Sequence, residues 1–144
     1  KRITVGHNFR HDCVTAIRAA GKDVKMIGRG YEPFEFKHES LGVSHQVVIE
    51  NSSRKGYFTD KIVDVLLGGV VPLFWGCPNF ADYGFDEAGI IRFSSVEELM
   101  DKALPLAESG WKPPVEVLRH NAAVAGRDFR LAEDWIYDKY KDIL

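Results

Sequence analysis

The sequence has little cysteine and no long apolar run. Its two cysteines, Cys13 and Cys77, are far apart and lack CxxC spacing, which excludes a disulfide framework and argues against a cysteine-rich zinc site. This cysteine usage favours a reducing compartment. No apolar run approaches the length needed to cross a bilayer, so we expect no membrane span. The start at Lys1, without methionine or a signal-type region, suggests a fragment or processed product.

The sequence also lacks an excess of either charge. The formal net charge is -2 and the isoelectric point is about 6.2, so there is no global basic field and we expect no nucleic-acid partner. Any anion site must therefore be local. What is present is the composition of an ordinary globular domain: 144 residues, of which 45% are hydrophobic and 28% charged. This balance predicts one domain with a core of its own.

Short β-branched and aliphatic runs recur between helical patterns, which is typical of a parallel sheet. We predict a doubly wound, mainly parallel five-stranded sheet of the Rossmann-like α/β class over residues 1–110, in the order 2-1-3-4-5, with extra C-terminal helices over residues 113–144. The five predicted strands are Ile3–Val5, Val24–Ile27, Val47–Ile49, Val70–Phe74 and Ile90–Phe93.

Helical periodicity and capping residues place helices between and after these strands. The first is predicted at Phe9–Ala20, with Gly21 as its stop, and the second is capped by Thr59 and ended by Gly68-Gly69. The other predicted helices are a short one near Lys37–Leu41, one starting at Ser94 or Ser95, one opened by Pro113-Pro114, and a last one at about Leu131–Leu144.

The predicted strand order reverses direction between strands one and three, and ligands bind such sheets at the carboxyl ends of the strands beside the reversal. The loops after Val5 and Ile49 should therefore form the site. Lys61 lies in the first turn of a helix, where its charge opposes the macrodipole unless an anion is present. Arg10 is a second cation at the same place, and its fork could bind two phosphate oxygens. Taken singly, Lys61 is at least as well explained as a solvated lysine, and for Arg10 alone a solvated first-turn arginine is the favoured interpretation.

A resemblance follows from the segment after the third strand, ENSSRKGYFTDKIVDVLLGGVVPLFWG, which runs from Glu50 to Gly76. It resembles the C-terminal signature of the α-1,3-fucosyltransferase family, in which E-N, G-Y-x-T-E-K and V-P-x-x-W-G recur in this order. Several spaced matches are more specific than a lone glycine-rich motif. The resemblance covers roughly the first two-thirds of the chain. It implies the donor-binding, C-terminal domain of a two-domain GT-B glycosyltransferase.

The resemblance implies roles for individual residues of this chain. Arg10 and Lys61 would bind the diphosphate of GDP-fucose or a similar sugar nucleotide. The remaining donor-binding positions would be Asn51, Tyr57, Thr59 and Asp60, the last standing where the family usually has Glu, which puts the ribose contact and the donor identity in question. Further candidates are Glu50, Arg29 and His7. Glu50 has an equally supported alternative, a structural carboxylate that accepts hydrogen bonds from nearby backbone amides.

The resemblance also implies an inverting transfer in which positive charge stabilises the departing diphosphate. The general base and the glycan acceptor would belong to an N-terminal domain that this chain does not provide, so we expect no catalytic residue here. No DxD motif occurs, and we predict no cofactor and no obligate metal. The location would be cytoplasmic for a microbial or viral protein and the Golgi lumen for a fragment of a eukaryotic enzyme.

Several alternatives remain open. The chain could be a non-catalytic nucleotide-sugar-binding or interaction module that retains the fold, which the missing base and the Asp60 departure would explain. A receiver-like regulatory domain is disfavoured because the expected acidic cluster is absent from the sequence. A metal site from His7, His11 and Cys13 has unfavourable spacing across a strand, loop and helix. The glycosylation pattern Asn51-Ser52-Ser53 would obstruct the phosphate loop, so we interpret it as accidental.

Overall fold

Within the part of the chain that the structure describes, three parallel strands form one sheet. The computed structural model describes residues 4–22, 24–25 and 41–129. Its strands are β1 (His45–Ile49), β2 (Val71–Trp75) and β3 (Ile91–Arg92), and β2 lies between the other two. Val47 is in register with Leu73, and Leu73 with Ile91. The last three predicted strands, their parallel direction and their order are confirmed.

Helices cover both faces of this sheet. They are α1 (Val5–Ala19), α2 (Asp60–Leu67), α3 (Val96–Glu98), α4 (Leu104–Glu108) and α5 (Val115–Asp128), with a π-helical turn at Leu99–Ala103 between α3 and α4. Two short 3-10 helices, Phe80–Tyr83 and Glu87–Gly89, connect β2 to β3. Pro105 in the first turn of α4 lacks an N–H for the preceding helical turn, which suits the wider π geometry there.

The alternation of side chains along the strands divides the core into two clusters. Val48 and Phe74 pack with α2 and α5, whereas Ile49 and Leu73 pack with α1 and the segment from α3 to α4. Residues on adjacent positions of a strand point to opposite faces, so both faces of the sheet are buried. The protein is therefore a mixed α/β fold with a helical layer on each side of a small parallel sheet.

Capping residues define the helix ends much as the sequence predicts. Thr59 accepts the Lys61 N–H at the start of α2, and Gly69 has φ +68 just after its end. Ser95 caps α3, and α5 begins directly after Pro114. At the end of α1, Gly21 has φ +67. These predicted boundaries are confirmed.

The prediction for the start of the chain is wrong in one respect. Val5, expected to end the first strand, is the first residue of α1, which begins four residues before the predicted Phe9. Thr4 caps this helix by accepting the His7 N–H, and Gly6 lets the first turn approach β1 closely. A cap and a close backbone contact thus prevail over the β-branched pattern of the sequence.

Other predicted elements lie outside the described residues. These are Ile3 of the first strand, the second half of the second strand, most of the short helix near Lys37–Leu41, and the helix at Leu131–Leu144. Val24 and Lys25, at the start of the second predicted strand, are described and are not in a strand. The five-stranded sheet and its reversal point remain predictions. Within the described ranges, no helix is both long enough and apolar enough to cross a membrane.

Candidate functional site

Glu50 is the centre of the contacts at the carboxyl end of β1. Its backbone N–H donates to the Trp75 carbonyl at 3.0 Å, which joins it to β2. Its carboxylate accepts the Thr59 N–H at 2.8 Å and the Thr59 hydroxyl at 2.9 Å. Glu50 is 0% exposed, so a charged side chain is buried here and must be compensated by such bonds. These bonds are the ones expected for the structural role of Glu50, and its part in donor binding stays a prediction.

Lys61 lies against this carboxylate. Its ammonium Nζ is 3.5 Å from Glu50 Oε2 and donates to Thr59 Oγ1 at 3.1 Å, while 40% of the side chain remains exposed. The sequence argument required an anion to offset a lysine in the first turn of α2. The structure supplies that anion from the chain itself, so an external phosphate is not needed to explain Lys61. Binding of a diphosphate at Lys61 therefore remains a prediction that the helix dipole alone does not require.

Arg10 reaches the same strand end from α1. Its Nη2 donates to the Ile49 carbonyl at 2.6 Å and lies 3.5 Å from Asn51 Oδ1. The close approach of α1 depends on Gly6, whose N–H donates to the Asn51 carbonyl and where an added Cβ would lie 1.9 Å from the Glu50 carbonyl oxygen. The predicted meeting of Arg10 with the loop after β1 is confirmed, although these bonds tie part of the guanidinium to the chain.

The loop between β1 and α2 is held by the loop that follows β2. Ser53 Oγ donates to the Gly76 carbonyl at 2.8 Å, and the Gly56 N–H donates to Asn79 Oδ1 at 2.9 Å. Gly56 has φ +72, a conformation that favours glycine. Asn79 was not predicted from the sequence as a residue of the site. The sequence feature that could have identified it is a side-chain amide next to Pro78 directly after a strand, because asparagine in such loops typically bonds to backbone groups.

The other predicted donor-binding residues are spread around this centre. Tyr57 is half-buried with the Arg54 guanidinium 5.5 Å from its ring centre, and Asp60 is the exposed first residue of α2. His7 is exposed in the first turn of α1, with Nδ1 2.6 Å from Thr4 Oγ1. Arg29 lies outside the described residues. Direct contacts join Glu50, Thr59 and Lys61, and Arg10 contacts Asn51, which follows Glu50 in the chain, so these five residues lie around the end of β1.

The three side chains of the alternative metal site lie in different surroundings. His7 and His11 are exposed on α1, while Cys13 is buried in the core. Burial, together with the nearby Asp12 carboxylate, raises the pKa of the Cys13 thiol to about 11, which opposes the thiolate form that binds metals. Across residues 4–22, 24–25 and 41–129, no group of three or more His, Cys, Asp or Glu side chains could hold a metal ion.

Comparison with protein-family models, curated proteins and solved structures finds no match for this chain. The resemblance to the fucosyltransferases therefore remains a prediction that rests on the motifs of the sequence. What the structure adds is a polar and charged cluster at the carboxyl end of β1, between two helices whose first turns both contact the residues directly after the strand.

Proposed function

We propose that this chain is the donor-binding domain of an inverting, fucosyltransferase-like glycosyltransferase, and that it binds the diphosphate of a GDP-fucose-like sugar nucleotide at the carboxyl end of β1. One observation carries the proposal. Arg10 from α1 and Lys61 from α2 both contact the residues that end this strand, from the two helical layers on its opposite sides. Two cations around one strand end suit a ligand with two phosphates.

The helices add to the attraction for anions. The first turn of α1 contacts Asn51 through the Gly6 N–H, and the N–H of Thr59, the cap of α2, donates to Glu50, so the positive ends of both helix dipoles lie near the proposed ligand. Arg10 would use the N–H groups of its fork that are not bonded to Ile49 and Asn51. Lys61 would contact the phosphates through the exposed part of its side chain. Phosphate binding by these groups needs no metal ion, in agreement with the missing DxD motif.

The reaction would break the bond between the anomeric carbon and the diphosphate while an acceptor hydroxyl forms a new bond from the opposite side. The acceptor proton would pass to a general base on an acceptor domain outside this chain. Arg10 and Lys61 would stabilise the negative charge that develops on the departing diphosphate. In this scheme the chain binds the donor and assists its departure, and it does not complete the transfer alone.

Isothermal titration calorimetry with GDP-fucose tests the proposal. We expect the wild type to bind, and both Lys61→Met and Arg10→Ala to weaken binding by about tenfold or more, since each removes a charge-assisted contact. Lys102→Met is the matched control, because Lys102 is an exposed lysine of the π-helical turn and its ion pair with Glu98 lies outside the site. The proposal fails if the wild type binds no sugar nucleotide or if all three variants bind like the wild type.

The contact between Glu50 and Lys61 favours a second candidate function. Because the chain provides its own counter-ion for Lys61, the same cluster is also consistent with a non-catalytic interaction module that retains the fold. A folded wild type that binds neither GDP-fucose nor inorganic pyrophosphate would support this candidate over the first.

A further inference from the structure

In the pair formed by Glu50 and Lys61, the carboxylate is buried and the ammonium lies closer to solvent. The carboxylate is 0% exposed, whereas 40% of the lysine side chain is exposed. An anion that approaches from solvent meets the ammonium first and the carboxylate behind it. Because the carboxylate is buried in a medium of low dielectric, its repulsion is screened less than that of a surface charge. The attraction of Lys61 for an anion is therefore reduced by its neighbour.

Glu50 is also held in place by its surroundings. Two donors of Thr59 restrain its carboxylate: the N–H bonds to Oε1, and the hydroxyl lies within 3.0 Å of both carboxylate oxygens. A Cβ at Gly76 would lie 2.9 Å from Glu50 Cγ, so the chain leaves just enough space for this side chain. The carboxylate cannot swing away when an anion arrives without breaking these contacts. The carboxylate is therefore a fixed part of the site.

We propose that Glu50 is a positioning residue that sets the anion selectivity of this site by offsetting the charge of Lys61. A single phosphate at Lys61 then gains too little to bind well, and a ligand must also reach Arg10, on the α1 side of the strand end. This requirement admits a diphosphate and rejects orthophosphate. The inference rests on the proposed function. It identifies the second phosphate as the feature by which the site selects its ligand.

The variant Glu50→Gln tests this inference because it removes the charge and keeps the shape. Its amide oxygen can still accept the Thr59 N–H, and its amide nitrogen can donate to Thr59 Oγ1. We expect the affinity for inorganic pyrophosphate to rise about tenfold or more, and orthophosphate binding to become measurable by calorimetry. Loss of a buried charge beside the ligand outweighs the few-fold cost of ordering a freed lysine. A merely structural role would lower both affinities.

Glu98→Gln is the matched control, because Glu98 forms a lysine pair of the same 3.5 Å length with Lys102 at an exposed position. It should leave both affinities unchanged. The inference is overturned if the wild type binds GDP-fucose while Glu50→Gln binds pyrophosphate no better than the wild type. If neither protein binds GDP-fucose or pyrophosphate, the proposed function fails together with the inference, so the two failures are distinguishable.

A second comparison covers the case in which Glu50→Gln does not fold. Replacing both members of the pair, as in Glu50→Gln with Lys61→Met, leaves no uncompensated charge and should be tolerated better. Relative to Lys61→Met alone, the double variant should bind pyrophosphate at least about threefold more tightly, because it lacks the buried carboxylate. Equal or weaker binding by the double variant would contradict the role assigned to Glu50.

Discussion

Cys13 is buried in the core beneath α1, in the cluster that contains Ile17 and Ile49. Burial and the Asp12 carboxylate raise the pKa of its thiol from the ordinary 9.0 to about 11. The thiol ionises near pH 9 in the unfolded state and only near pH 11 in the folded state, so its contribution to stability is fully present below pH 9. This contribution is lost progressively as the pH rises from about 9 to 11, at no more than about 1.4 kcal/mol per pH unit.

We therefore expect the free energy of unfolding to fall more steeply with pH in the wild type than in Cys13→Ala over that range. Urea denaturation at pH 8 to 11 would measure both slopes. Ile17→Val is the matched control, since it also removes a methyl-sized group from the same helix face and carries no titrating group. Equal slopes for the wild type and Cys13→Ala would show that the thiol does not contribute.

At single positions, sequence reasoning identified the charged residues of the site better than it identified their partners. Arg10, Glu50 and Lys61 were all named, because charged groups beside strand and helix ends are visible in the sequence. That Lys61 is compensated by Glu50 was not foreseen, since it depends on how the Glu50 side chain turns after the strand. Asn79 was missed for the same reason, because its bond to Gly56 spans 23 residues of sequence.

Among the elements, α1 shows how a tertiary contact can prevail over a local pattern. The run ending at Val5 reads as a strand because of its β-branched residues. Its helical start depends on Thr4 as a cap and on Gly6 lying against Glu50 and Asn51, and the second of these needs the rest of the fold. Elements whose ends carry their own signals, such as α2 between Thr59 and Gly68, were predicted closely.

The docking of α1 on the end of β1 depends on the absence of a side chain at Gly6. In Gly6→Ala the new Cβ would lie 1.9 Å from the Glu50 carbonyl oxygen, so α1 must shift away from the strand. We expect a loss of about 2 to 3 kcal/mol in the free energy of unfolding, as for other overpacked sites. The shift would also lengthen the bond from Arg10 to the Ile49 carbonyl. Thermal or urea denaturation measures the loss.

Gly126→Ala provides the comparison for that experiment, because Gly126 is also helical and its added Cβ would meet only the flexible Leu67 Cδ1, at 3.3 Å. Alanine has the higher helix propensity, so this variant should be unchanged or up to about 1 kcal/mol more stable. If Gly6→Ala proved as stable as Gly126→Ala, the close packing of α1 against the loop after β1 would be refuted.

For the whole molecule, a parallel sheet covered by helices on both faces could be predicted from the sequence, whereas the extent of that sheet could not. Apolar runs of strand length, such as Val70–Phe74, predict buried parallel strands, and the burial of both sheet faces by helices follows from them. The π-helical turn at Leu99–Ala103 and the 3-10 connections between β2 and β3 were not predicted. These depend on packing and on Pro105, whose effect on the preceding turn is hard to read from periodicity alone.

The connection between α5 and the segment that joins β2 to β3 depends on a buried asparagine. Asn121 is 1% exposed, accepts the Asp86 N–H at 2.7 Å and donates to the Asp86 carbonyl at 2.9 Å. Asn121→Ala would leave both backbone groups unpaired and a cavity beside them. We expect a loss of about 2 to 4 kcal/mol in the free energy of unfolding, measured by urea denaturation.

Comparison with a variant of the neighbouring His120 separates the effect of burial on stability from the effect of the hydrogen bond. It also bonds this segment, through Nε2 to the Gly84 carbonyl at 2.8 Å, but it is exposed. Water can replace that bond, so His120→Ala should cost less than about 1 kcal/mol. If the two variants lost equal stability, the position of Asn121 in the interior would not explain its contribution, and the packing of α5 against this segment would have to depend on other contacts.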